Sequence, residues 1–213
     1  MMRWREHMDS HSYAEEWYVE DAVVAGARTR GVALQPAQPS ASVTSVLRML
    51  AATTEAAAVV QAGADSGVSG LYLLSGMTPK GVLTCIEPDA EADQVARESF
   101  RAAGVTARVR SINGDPLDVF SRLADHAYDL VVAGDGVGEL AELLVAARRL
   151  LRPGGVAVFL RVFGPDECVI DATVRDPETT ARRRFLNEVS EDPTVIASLL
   201  PIDGGVLIIQ LPG

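Results

Sequence analysis

Two cysteines in 213 residues, Cys85 and Cys168, are too few for a disulfide framework or a cysteine metal cluster. Cys85 falls inside an apolar strand pattern and reads as plain core. Positive charge is scarce as well. The 19 Lys and Arg against 29 Asp and Glu leave a net charge of −10, which argues against nucleic acid as the main partner, because phosphate binding needs a basic face. The richest basic run, Arg182-Arg183-Arg184, lies in a helical pattern beside Glu178, Glu188 and Glu191 and is expected to be a solvated helix face. No apolar run reaches the ~18 residues of a membrane span. The polar, charged start MMRWREHMDSH does not read as a signal peptide, so a cytoplasmic location without membrane association is the expectation. There is no Gly-x-Ser-x-Gly and no Cys–His pair in motif context, so no nucleophile constellation competes for the chemistry. His126 precedes a strand at the end away from the candidate site and is expected on the surface.

What is present suits a buried core. Charged residues are 23% and mean hydropathy is slightly positive, which excludes a disordered chain. The length fits one domain with a short helical extension. We place the extension at residues 1–54 and the main domain at 55–213. From residue 58 onward strand and helix patterns alternate. Short apolar strands are predicted at Ala58–Gly63, Val82–Glu87, Ala107–Ile112, Tyr128–Gly134 and Gly155–Arg161. Helices are predicted at Gly67–Met77, Ala90–Ala103, Pro116–Ala124, Gly138–Leu151 and Pro177–Glu191, with Arg152-Pro153-Gly154-Gly155 as the turn into the fifth strand. Such alternation predicts an α/β doubly wound, mostly parallel sheet with helices on both faces. The rhythm then breaks: Thr194–Leu200 and Val206–Leu211 flank Pro201-Ile202-Asp203-Gly204-Gly205, a hairpin signal. Before residue 58, helices are expected over Ser12–Arg30 and Ser40–Ala52, separated by the loop Leu34–Pro39.

The most telling stretch is Ala58–Met77, AVVQAGADSGVSGLYLLSGM. An apolar strand passes through Gln61, Gly63, Ala64, Asp65, Ser66 and Gly67 into a helix. Such a turn lets a ligand approach the backbone, and the helix start offers free N–H groups. About twenty residues on, the second strand ends in Glu87, placed to accept both hydroxyls of an adenosine ribose. A carboxylate ending a buried strand needs a partner. By contrast, glycines in the turn also serve tight packing, and Ser69 at a helix start also suits a cap.

The segments GVSGLYLLSGM, GVLTCIEPDAEADQVARESFRAAG, SRLADHAYDLVVAGD, RRLLRPGGVAVF and SLLPIDGGVLIIQ together resemble the class I S-adenosylmethionine-dependent O-methyltransferases of the catechol and caffeoyl-CoA type, in particular their actinobacterial members. The resemblance runs from about Ser40 to Gln210. It implies a seven-stranded Rossmann-like sheet with a C-terminal antiparallel hairpin, S-adenosylmethionine as cofactor with S-adenosylhomocysteine as product, a small-molecule hydroxyl acceptor and a homodimer. Carried over by position, Gln61 stands where the family has an acid, and Gly63 and Ala64 pass under the methionine part. Ser69 contacts the cofactor carboxylate, Glu87 the ribose, and Pro88, Gly114 and Asp115 flank the adenine. Asp135 lies beside the reacting methyl group as the candidate catalytic residue.

The departures from the family are as informative. Metal-dependent members carry V-D-A-D-K after the fourth strand and D-N after the fifth. Here the segments read Ala133-Gly134-Asp135-Gly136-Val137 and Leu160-Arg161. One carboxylate cannot make an octahedral oxygen cage, so no metal is expected, and Arg161 is expected to pair with Asp135. Two function classes remain at this point, a metal-independent O-methyltransferase and a non-catalytic binding or dimer-partner protein of the same fold. A nicotinamide oxidoreductase fits the terminal hairpin and the glycine turn less well. The helical stretch with Trp17, Tyr18, Val19, Ala22, Val23 and Val24 is the expected dimer face, and packing over the cofactor mouth is its alternative.

Overall fold

A computed structural model describes residues 9–34 and 38–213. The start MMRWREHM and the centre of the expected loop Leu34–Pro39 lie outside the described residues. Three helices lead, α1 (Ser10–Trp17), α2 (Ala22–Gly31) and α3 (Ala41–Thr53). The alternating part follows as β1 (Ala58–Ala62), α4 (Val68–Gly76), β2 (Val82–Glu87), α5 (Ala90–Ala102), β3 (Val109–Asn113), α6 (Pro116–Ser121), β4 (Tyr128–Ala133), α7 (Leu140–Leu150), β5 (Leu151–Leu160) and α8 (Pro177–Glu191). The chain closes with β6 (Ile196–Leu200) and β7 (Val206–Gln210).

The seven strands form one sheet in the order β3-β2-β1-β4-β5-β7-β6. All pairings are parallel except β5–β7 and β6–β7, which is the expected architecture. Both faces are apolar because side chains alternate along each strand. Val59, Leu130, Val132, Val156 and Val158 enter the core under α2–α5. Val60, Val131, Ala133, Ala157 and Phe159 enter the core under α6–α8. Cys85 is buried in the first of these cores, and burial pushes its thiol far up, so it is inert packing as expected.

Carboxylates fix the frame at several ends. Asp129 accepts the N–H groups of Ala57 and Ala58 at 2.7 and 2.8 Å and pairs with Arg152, which anchors the start of β1. Asp21, Asp89, Asp115 and Asp176 cap α2, α5, α6 and α8. The expected single helix over Ser12–Arg30 is instead α1 and α2, because Asp21 accepts from Val23 and Val24 N–H at 2.9 Å and starts a new helix after an extended Tyr18. Arg152–Gly155 is not a free turn either. These residues belong to β5, where the pairing with β4 shifts register, and Gly154 N–H donates to Pro212 O at 3.0 Å.

Helix α3 crosses α4 at backbone contact. A Cβ added at Gly76 would lie 2.2 Å from Arg48 O. Alanine at the end of a helix ordinarily gains stability over glycine, but here the contact is backbone and cannot yield. Gly76→Ala is therefore expected to cost about 1–3 kcal/mol, read as a lower urea midpoint with an unchanged denaturant slope.

Candidate functional site

The site forms where the C-terminal ends of β1, β2, β4 and β5 meet. Gly63 N–H donates to Ile86 O and Gly134 N–H to Ala62 O, which closes the three central strand ends against one another. After β1 the chain turns through Asp65, Ser66 and Gly67 at φ of 44°, 57° and 91°, three successive left-handed residues. Only the glycine adopts that region without strain. The turn is held from above by α2, whose last residue has no room for a side chain: a Cβ on Gly31 would meet Ser66 Oγ at 2.1 Å.

Glu87 is buried at the end of β2, and each of its oxygens accepts one backbone N–H, from Ala64 at 2.7 Å and from Asp89 at 3.1 Å. Each oxygen retains a second acceptor position. Gln61, 1% exposed, donates Nε2 to Gly63 O at 2.6 Å and leaves Oε1 buried with no partner. Ser69 is not a helix cap: its hydroxyl donates to Asp65 Oδ2 at 2.8 Å. Gly63 faces Val137, which stands in place of the family lysine. On the β3 side, Gly114 N–H donates to Glu87 O at 3.0 Å, Asp115 caps α6, and the carbonyl of the exposed Pro88 accepts from Asn113. The candidate cofactor positions thus lie on this edge of the sheet, with Gln61, Gly63, Ala64, Ser69 and Glu87 clustered around the turn.

The expected Arg161–Asp135 pair is not made. Arg161 binds Asp203 in the β6–β7 turn at 2.9 Å, and Asp203 also accepts the N–H of Ser40 at 2.9 Å, tying α3 to the sheet edge. The partner of Asp135 is Arg182, 2.8 Å away on α8. Arg182 also donates to Arg161 O and to Glu178. The basic run is therefore not a solvated face: Arg182 is buried, and Arg183 donates to the carbonyls of Cys168, Val169, Asp171 and Val174. Only Arg184 of the three is exposed. The spacing Thr179, Arg182, Phe185, Val189, all buried, was the signal that places Arg182 on the inward face. Beyond this pair an open groove of about 800 Å³ runs over Leu117, Leu140 and Phe185. His126 is exposed, as expected.

The comparisons with known proteins agree with this frame. The family model described as O-methyltransferase matches residues 9–211. A relative from Mycobacterium sp. (strain JLS), named "Putative O-methyltransferase", is 39% identical over 198 residues, 92% of this chain and 90% of its own. A crystal structure of a protein from Corynebacterium glutamicum is 32% identical with a TM-score of 0.86, covering 95% of both chains. The O-methyltransferase TomG from Streptomyces achromogenes, crystallised with SAM, has the same fold at 23% identity and a TM-score of 0.82, covering 94% of both. The chain belongs to the O-methyltransferase family.

Asp65 has a consequence for stability. Burial pushes its carboxyl up to about 6, with Glu87 adding to the effect and the Ser69 hydroxyl opposing it. The folded state thus holds this proton more tightly than the unfolded chain, so ionising Asp65 opposes folding. The penalty is absent below about pH 4, grows as the pH rises, and is complete above about 6. Asp65→Asn is expected to stabilise the protein by about 2–3 kcal/mol at pH 7 and to leave it unchanged near pH 4, as measured by chemical denaturation at the two pH values.

Proposed function

We propose that this chain is an S-adenosylmethionine-dependent O-methyltransferase that works on a small-molecule hydroxyl without a metal, and that it acts as a homodimer. Residues 1–54 serve in this reading as the cap and pairing element on the domain 55–213. The observation that carries the cofactor is the buried, unpartnered Gln61 Oε1 next to a Glu87 carboxylate with acceptor positions to spare. These residues fit an aminoacyl nucleoside: Glu87 would take the ribose hydroxyls, Gln61, Gly63, Ala64 and Ser69 the methionine end, and Pro88, Gly114 and Asp115 the adenine side.

The bound cofactor supplies an electrophilic methyl group on a sulfonium. The chain positions the acceptor and removes its proton. Arg182 holds Asp135 through Oδ1, which leaves Oδ2 to accept the acceptor's O–H. Asp135 would take that proton as the acceptor oxygen bonds to the methyl group that a bound cofactor would give up, the thioether leaving with the electron pair. The N-terminal helices and the loop 162–173, held by Arg183, supply the acceptor's surroundings. The metal-free reading rests on the donor set. Leu160 and Arg161 replace oxygen ligands, and Asp135 is already neutralised by a guanidinium. Among the described residues no three His, Cys, Asp or Glu side chains come together as a cage.

For the dimer, the first three helices and the links between them expose Trp17, Val19, Val23, Val32 and Met49, with Val19 at 95% and Val32 at 62%. Trp17 stacks edge-on with Tyr18. That much apolar surface on one region fits a two-fold partner.

Three outcomes are expected. Calorimetry detects S-adenosylhomocysteine binding, and Glu87→Gln weakens it at least tenfold, since hydrogen bonds to a charged acceptor are worth ~1.5–3 kcal/mol each. Full affinity in that variant, with the fold intact, contradicts the ribose assignment. Methyl transfer to catechol-like acceptors is unchanged by chelator or added magnesium, and a strict requirement for the ion would restore the metal-dependent mechanism. Light scattering at micromolar concentration gives twice the 22.6 kDa of one chain, whereas the single-chain mass would make the N-terminal helices a pocket wall instead.

A further inference from the structure

Asp65 is a partly buried carboxylate with no cation bonded to it among the described residues. Its Oδ2 accepts from Ser69 Oγ at 2.8 Å and from Gln61 Nε2 at 3.4 Å, and among the described residues no donor reaches Oδ1. The Arg161 guanidinium acts on it only at a distance and is engaged by Asp203. Beside it, Gln61 Oε1 is a second acceptor without a donor. The amide orientation is dictated by chemistry. Turning it over would press Oε1 against the Gly63 carbonyl, where Nε2 now donates at 2.6 Å. The three left-handed residues of the turn are what hold the Asp65 carboxylate in this place. A charge taken out of water calls for an opposite charge, and two neighbouring free acceptors call for a group with several donors.

We propose that Asp65 is the carboxylate that binds the cofactor's α-ammonium group, with Gln61 Oε1 as its second acceptor. The proposal rests on the S-adenosylmethionine reading given above and adds to it a residue at which that family resemblance assigns nothing. The negative charge that the family carries at the position of Gln61 is, in this chain, supplied four residues later, from the turn itself. A primary ammonium has three N–H donors and a positive charge, and so satisfies both acceptors and neutralises the carboxylate. A neutral hydroxyl does neither in full.

The test compares two nucleosides by calorimetry. S-Adenosylhomocysteine carries the ammonium group, and 5′-methylthioadenosine shares the adenine, ribose and thioether but lacks the amino-acid end. Wild-type protein is expected to prefer S-adenosylhomocysteine, and Asp65→Asn to lose about ten- to a hundredfold of that preference while binding methylthioadenosine as before, which also shows that the variant is folded. The ratio of the two affinities should fall as the pH is lowered through about 6, when Asp65 takes up a proton. The other charged groups facing it are Glu87 from β2, Arg161 from the end of β5 and Asp203 from the β6–β7 turn. Glu87 serves both ligands and cancels in the ratio, and Asp203 stays paired with Arg161. An Asp65→Asn variant with undiminished preference overturns this proposal alone. Failure of wild-type protein to bind either nucleoside overturns the cofactor reading and this proposal with it.

Discussion

Strand β1 has β2 on one side and β4 on the other, and everything at the site depends on that reversal of strand order. The connection from β1 to β2 runs under α4 on one face of the sheet, while the chain returns along β4 with α6 and α7 on the other. The loops therefore part above the end of β1 and leave a crevice there. Glu87 and Asp135 stand on its two sides because Glu87 ends β2 and Asp135 follows the end of β4, the two strands adjacent to β1. At the opposite end, Asp129 clamps the entry of β1 through two backbone N–H groups. A strand fixed at its start and flanked on both edges presents its final turn in one geometry.

Much of this is legible in the sequence because it is local. Short apolar runs mark the strands, Asp203-Gly204-Gly205 marks the hairpin, and Glu87 stands out by its place at a strand end. What escaped was set by distance. The sequence neighbours of Asp135 do not reveal that its partner is 47 positions away on α8, and Arg161 is drawn off by a turn residue 42 positions along. Three adjacent arginines look alike as charge, yet a helix sends them in three directions, and their fates differ accordingly. The N-terminal stretch was misread for a different reason. Helix propensity runs through residues 18–21 without a breaker, and the interruption comes from Asp21 satisfying N–H groups on the far side.

The turn at 65–67 breaks a local rule, since two non-glycine residues occupy left-handed space in succession. Such strain persists where surrounding contacts over-determine the backbone. Here Gly31 presses on Ser66 from α2, and Ser69 ties Asp65 down from α4. The N-terminal helices are thus part of the site's scaffolding. Glu15 accepts the N–H groups that open α3, Asp203 accepts that of Ser40, and α3 lies in backbone contact with α4.

The grip of Arg183 on the loop after β5 is made wholly through main-chain oxygens, those of Cys168, Val169, Asp171 and Val174. A carbonyl is the same whatever side chain its residue bears. The loop's path is consequently independent of much of its sequence, and side chains along it are free to vary while the backbone stays where it is. One arginine in α8 thereby separates the shape of this wall from its chemistry. Over evolutionary time, or in a mutant library randomised at these positions with Arg183 kept, the surface offered to incoming molecules can diversify without the domain having to refold.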